Sequence, residues 1–217
     1  MEVLILSKTR MNGGKCCVGG IASDGNYVRL LTSWGENQPG DTDLDISQIW
    51  EIDYTDRPYK MPPHVEDVLV QTKQFVGKLS TETSVGRHIQ QLGVQIWEGH
   101  PNVLFDAQIK WTNSGSGYIN EEAIPTHSVG FWISDRNLFR QDYYGKLRYT
   151  YPAQYQKIPY VGYQQPINNI PAGTLLRVSL ARWWQQDERT EQRCYLQLSG
   201  WYQLGYLLIV ICWNFYS

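Results

Sequence analysis

Arg193-Cys-Tyr-Leu-Gln-Leu-Ser-Gly-Trp-Tyr202 is the stretch on which the fold turns. Successive side chains of a strand point to opposite faces. Cys194, Leu196, Leu198 and Gly200 then share one face, apolar and suited to a core, while Arg193, Tyr195, Gln197, Ser199 and Trp201 share the other. A pure core strand has no use for that polar-aromatic set; a barrel strand with an exposed binding face does. Upstream, beyond an acidic-polar loop, Leu180-Ala-Arg-Trp-Trp184 ends a second strand-forming run. Arginines interleaved with aromatics can stack on bases and pair with phosphates, and they can equally pack a sheet.

The bulk composition agrees with an all-β chain. With 9 Trp and 15 Tyr among 217 residues, strand formers are abundant. This length suits one large domain or two small ones. Only 18% of residues are charged and 42% are hydrophobic, which argues against disorder. The net charge of -2 excludes binding through a global positive field, so a nucleic-acid partner would need a local patch. Cys16, Cys17, Cys194 and Cys212 lack C-x-x-C spacing and read as small buried apolar residues in a reducing cytoplasm. Met1 to Leu6 is too short for a signal peptide and has no basic flank. Leu204 to Phe215 is apolar but shorter than the roughly 20 residues of a membrane span. It reads as a last buried strand or a partner-binding tail. Cytoplasmic location without membrane association is the expectation.

Short β-rich runs bounded by Gly, Asn and Asp predict strands over 2–7, 16–22, 27–32, 49–54 and 68–72 in the first part of the chain. Ser23-Asp-Gly-Asn26 is a hairpin turn. Val85, Ile89 and Leu92 repeat at helical spacing and predict a short helix within 80–93. Strands follow over 104–112, 128–134, 174–180 and 193–201, with a hairpin around Tyr144-Gly145 and a Pro- and Gln-rich loop over 152–171. Ile49 to Tyr54, running up to Arg57, and Leu175 to Leu180, running up to Arg182, correspond faintly between the halves. The expected architecture is two tandem small β-barrels: residues 1–79, a linking helix and loop over 80–99, and residues 100–217.

Ser7 to Gly20 holds a Gly-rich loop with Lys8, Arg10 and Lys15. Thr9 stands where a P-loop needs its first glycine, and Cys16 replaces the magnesium-binding hydroxyl, so nucleotide hydrolysis is excluded. The loop reads as a wide turn with Gly13 and Gly14 at positive φ, or as a loop touching phosphate. Pro62-Pro-His-Val-Glu-Asp67 reads as a structural turn whose His64 and Asp67 bond the backbone. No histidine spacing suits a metal, and no G-x-S-x-G or assignable triad is present. No enzyme activity, cofactor or metal is expected.

Three separated motifs carry a resemblance. Leu6-Ser-Lys-Thr-Arg10 with Gly13 to Gly19 and Asn26 to Leu30, then Pro62 to Asp67, then Arg177 to Trp184 with Cys194 to Tyr202, together resemble the prokaryotic dual OB-containing domain family over residues 2–202. The resemblance implies two OB-fold barrels in tandem and a role in binding nucleic acid, discussed with mobile-element and defence systems. It brings no catalytic residues. The resulting expectation is a non-catalytic module for single-stranded DNA, RNA or a nucleotide-like ligand. Lys8, Arg10, Lys15, Arg29, Arg182 and Arg193 are the candidates for phosphate, and Trp183, Tyr195 and Trp201 for stacking. The competing expectation is a protein–protein adaptor that uses the aromatic faces and the apolar tail. The oligomeric state is left open.

Overall fold

The computed structural model describes residues 1–152 and 155–204, and leaves the side chains of Glu82 and Thr83 undescribed. Cys212 and the tail beyond Leu204, expected as a buried strand or partner-binding segment, lie outside the described residues.

The first half contains β1 (Glu2–Arg10), β2 (Lys15–Ala22), β3 (Tyr27–Leu31), β4 (Gln38–Pro39), β5 (Gln48–Asp56) and β6 (Asp67–Lys78). Their order β1-β5-β6-β3-β2, closed by the β1–β2 pairing, makes a five-stranded barrel. All contacts in this circuit are antiparallel except β3–β6. That is the Greek-key barrel of an OB fold. Gly13 (φ 71°) and Gly14 (φ 68°) do take the left-handed conformation in the β1–β2 loop.

The helix α1 (Glu82–Gln91) follows, capped by the Thr81 side chain, which accepts from the Ser84 backbone N–H. The second half contains β7 (Ile96–Gly99), β8 (Lys110–Trp111), β9 (Gly117–Asn120), β10 (Val129–Ser134), β11 (Leu138–Tyr143), β12 (Lys146–Thr150), β13 (Lys157–Pro159), β14 (Asn169–Ile170), β15 (Leu175–Leu180) and β16 (Arg193–Tyr202). Taking β10 and β11 as one bent strand, the pairings trace the circuit of the first barrel: β12 beside β11, β13 beside β12, β16 beside β15, and β15 beside β10. The β13–β16 contact is also parallel, but narrows to the bridge between Tyr160 and Leu198, so this barrel is the more open one. In both circuits β5 and β15 occupy the same place, which gives the faint correspondence of their sequences a topological basis.

Residues 104–112 depart from the predicted strand. Phe105, Asp106 and Ala107 all have left-handed φ (50°, 56° and 62°), and only Lys110–Trp111 are extended. Such residues cost about 1–2 kcal/mol each. The turn is held by Phe105 packing on Trp97, ring centroids 4.9 Å apart, and by Asp106 Oδ1, which accepts from Gln95 Nε2 and Trp97 Nε1. Tertiary contacts of this kind are invisible to periodicity.

Three apolar clusters result. Val3, Ile5, Cys16, Val18, Val28, Leu30, Trp50 and Ile52 fill the first barrel. Trp132, Tyr149, Leu176, Val178, Cys194, Leu196, Leu198 and Trp201 fill the second. The third lies between the barrels, where Leu4, Leu6 and Ile21 meet Phe131, Leu175 and Tyr202 over the Val85–Ile89 face of α1. The run Val3-Leu-Ile-Leu6 is continuously apolar because β1 is buried on both faces.

Candidate functional site

The sequence candidates fall into separate places. Lys8 is buried, and its Nζ donates to Thr42 O and Asp45 Oδ1, so it is not offered to a ligand. Arg10 is exposed and lies over the Tyr163 ring, 4.6 Å from its centroid. Arg193 packs over Tyr118 at 4.1 Å and pairs with Glu191, with Tyr195 and Trp184 beside it. Nearby Lys110 pairs with Glu122. That face therefore carries as many carboxylates as cations.

Trp201 corrects the strand-face expectation. A bulge in β16 sets Arg177 opposite Gly200 but Val178 opposite Leu198, leaving Ser199 as an extra residue. The alternation slips by one there, and a one-residue slip exchanges the faces. Trp201 is therefore 4% exposed, inside the second barrel against Tyr160 and Tyr149, and offers no stacking surface.

Arg29 and Arg182 converge, with a third residue the sequence reading did not single out. Asp67 Oδ2 accepts from Arg29 Nη2 at 2.7 Å, Arg57 Nη1 at 3.0 Å and Arg182 Nη2 at 2.7 Å. The carboxylate is 2% exposed. Its partners come from β3, the β5–β6 loop and the segment after β15, so both barrels share one counter-ion. Arg57 and Arg182 are the residues at which the two corresponding runs end. Asp67 was expected to bond backbone, and its burial among guanidiniums replaces that role.

His64 does bond backbone, but across the barrels. Its Nε2 lies 3.2 Å from Leu180 O and 3.1 Å from Ala181 O, so that nitrogen carries the proton. Trp183 Nε1 donates back to Pro62 O at 2.8 Å, and the Pro62–Pro63 peptide bond is cis. Burial pushes the His64 pKa below its ordinary 6.5, against the opposing pull of the Leu180 carbonyl. The unfolded chain then takes up a proton near pH 6.5 while the folded one resists it. Stability is full above that pH and declines as pH falls through it. His64→Gln is expected to flatten this acid slope, read from urea midpoints at about pH 5 and about pH 8.

A cleft of about 530 Å³ opens beside the arginine cluster. Met11 of the β1–β2 loop and Lys15 at the start of β2 line it, with Arg29 and Leu31 of β3, Arg57, Tyr59 and Met61 of the β5–β6 loop, and Arg182. Lys15 pairs with Glu36 at 2.8 Å and holds that carboxyl below its usual range. Tyr59 is 92% exposed, and Trp34, next to the lining residue Gly35, is 90% exposed. Aromatic solvation of that extent has no packing account. Tyr59 and Trp34 were missed because a lone aromatic in a loop carries no periodic signal.

Among the described residues no cluster of His, Cys, Asp or Glu suits a metal ion, and no helix is long and apolar enough to cross a membrane. Cys16 and Cys194 are buried free thiols, and burial pushes the Cys194 thiol up to about 12.

The sequence matches no curated protein. Similar solved structures include the Ifi202 HINa domain in complex with a 20-base-pair double-stranded DNA, at 11% identity, covering 92% of this chain and 95% of that one, TM-score 0.28. Another is a murine DNA-binding protein bound to double-stranded DNA, at 8% identity, covering 92% and 97%, TM-score 0.28. The model of the dual OB-containing domain matches residues 1–201. With two OB circuits and a family match across nearly its whole length, the chain belongs to the dual OB-containing domain family.

Proposed function

We propose that the protein is a non-catalytic module that binds single-stranded nucleic acid along the cleft of the first barrel. One observation carries this reading: Lys15, Arg29, Arg57 and Arg182 line the same cleft as the solvated ring of Tyr59. The cleft lies on the face through which OB folds take oligonucleotides, beside the first and last loops of the barrel. Cations along a groove hold the backbone, and exposed rings stack unpaired bases. Of the nine sequence candidates, Lys15, Arg29 and Arg182 line this surface, Trp183 packs against the second-barrel core, and Arg193 and Tyr195 lie on the charge-balanced face.

Fluorescence anisotropy with a labelled single strand tests it. Tyr59→Ala is expected to weaken binding by about 1–3 kcal/mol, the worth of one stacked base. The salt dependence of log K is expected to have a slope of about −2, as roughly three phosphate contacts give. Absence of binding at low salt sinks the proposal. Binding to a protein with no such salt slope would favour the adaptor.

A further inference from the structure

The outer faces of the barrels do not meet everywhere. Ser7 of β1, Gly19 of β2 and Arg29 of β3 face Arg177 and Ser179 of β15 and Gln197 of β16 across a cavity of about 210 Å³. Arg177 is 4% exposed, and its guanidinium crosses from the second barrel to the first. A Cβ on Gly19 would lie 2.6 Å from Arg177 Nη2, so glycine there makes the room. Nη1 donates to Ser199 Oγ at 2.9 Å, the hydroxyl that the β16 bulge presents. Nε has no hydrogen-bond partner, and among the described residues the guanidinium has no ion-pair partner. The other arginines of this interface share Asp67. Glu66 also lines the cavity, but Ser128 occupies it, through the backbone N–H and the hydroxyl. Buried charges are ordinarily paired, because desolvation of a lone one is costly.

We propose that this inter-barrel cavity binds a phosphomonoester, with Arg177 as the principal binding residue and Arg29, Arg182, Ser179 and Gln197 around it. The charge favours that ligand. Arg29, Arg57, Arg177 and Arg182 set against Glu66 and Asp67 leave two positive charges. A phosphomonoester near pH 7 carries about −1.5 to −2, whereas a diester inside a strand carries one negative charge. The guanidinium fork matches phosphate oxygens two at a time. The size agrees: a cavity below the ~300 Å³ of sites for drug-sized molecules takes a phosphate with a few further atoms.

Met11, Arg29 and Arg182 line both the cavity and the cleft outside it. The phosphate has two sources: the 5′ end of a strand lying in the cleft, or a free mononucleotide. The first source rests on the reading above; the phosphate site does not.

The test titrates the full chain with AMP, adenosine and inorganic phosphate and follows thermal unfolding. AMP and phosphate are expected to raise the melting temperature and adenosine to leave it unchanged, since a ligand at ~100 Kd favours the native state ~100-fold. Arg177→Gln is expected to lose ~10- to 100-fold in AMP affinity. Arg177→Lys, which keeps the charge, guards against a simple folding defect and is expected to recover part of the loss. No response of the wild type to AMP or phosphate overturns the proposal, as does an AMP response that Arg177→Gln keeps. A 5′-phosphorylated strand bound more tightly than its 5′-hydroxyl twin, by the wild type alone, assigns the strand end; equal binding assigns the free nucleotide. If 5′-hydroxyl strands fail to bind at all while AMP binds, the cleft reading falls and this one stands.

Discussion

Asp67→Ala is expected to lower folding stability by about 3–5 kcal/mol, because it leaves a buried group of like charges without their counter-ion. Three guanidiniums from two barrels meet that single carboxylate. Arg29 is the most enclosed of them and bears most of the penalty. Asp67→Asn should come close to alanine, since it keeps the shape and loses the charge. The urea midpoint reads the effect, and a loss below about 1 kcal/mol would mean that Arg57 and Arg182 simply turn into water. In whatever variant remains folded, phosphate and oligonucleotide should bind more tightly than to the wild type, because three cations are released into the cleft. A stability loss accompanied by weaker binding would place Asp67 in a purely architectural role.

Trp201→Ala is expected to cost about 3–5 kcal/mol as well, for a different reason: it removes a large ring from a packed interior and leaves a void. The ring touches Tyr149 and Tyr160 within the second barrel. Trp184→Ala, at a half-exposed ring on the outside, is the control and should cost well under 1 kcal/mol. Folded Trp201→Ala protein should bind an oligonucleotide as the wild type does. Loss of binding at unchanged stability would restore the ring to the ligand face and overturn the register described for β16.

Much of this molecule is written locally. Short β-rich runs bounded by turn residues predicted β1, β2, β3, β5, β6, β10, β15 and β16, and the Val85–Ile89–Leu92 spacing predicted α1. Their strand-forming composition is local and survives in the sequence even where, as in β1, both faces are buried. β7, β9 and β11 went unread because they are short or lack alternation. The left-handed turn at Phe105–Ala107 mimics a strand because its apolar residues are spaced by chance of packing. For the site, Arg29 and Arg182 were legible as charges in strand-rich segments. Their common partner Asp67 was not, since it lies 38 residues from one and 115 from the other. Arg177 could have been noticed as the one charge inside the mostly apolar run Leu175 to Leu180, a break in pattern for which the facing Gly19 makes the room.

The seam between the barrels also sets a schedule. Tyr202 Oη donates to Leu6 O across 196 positions of chain. At 5–20 residues per second the 196 positions between Leu6 and Tyr202 take roughly 10–40 s to synthesise, and through that interval the seam on the outer side of β1 stays incomplete. Until then Leu4, Leu6 and Ile21 can meet α1, Phe131 and Leu175 but not Tyr202. A fragment cut between the halves would keep Leu4, Leu6 and Ile21 without Phe131, Leu175 and Tyr202, their partners from the second barrel.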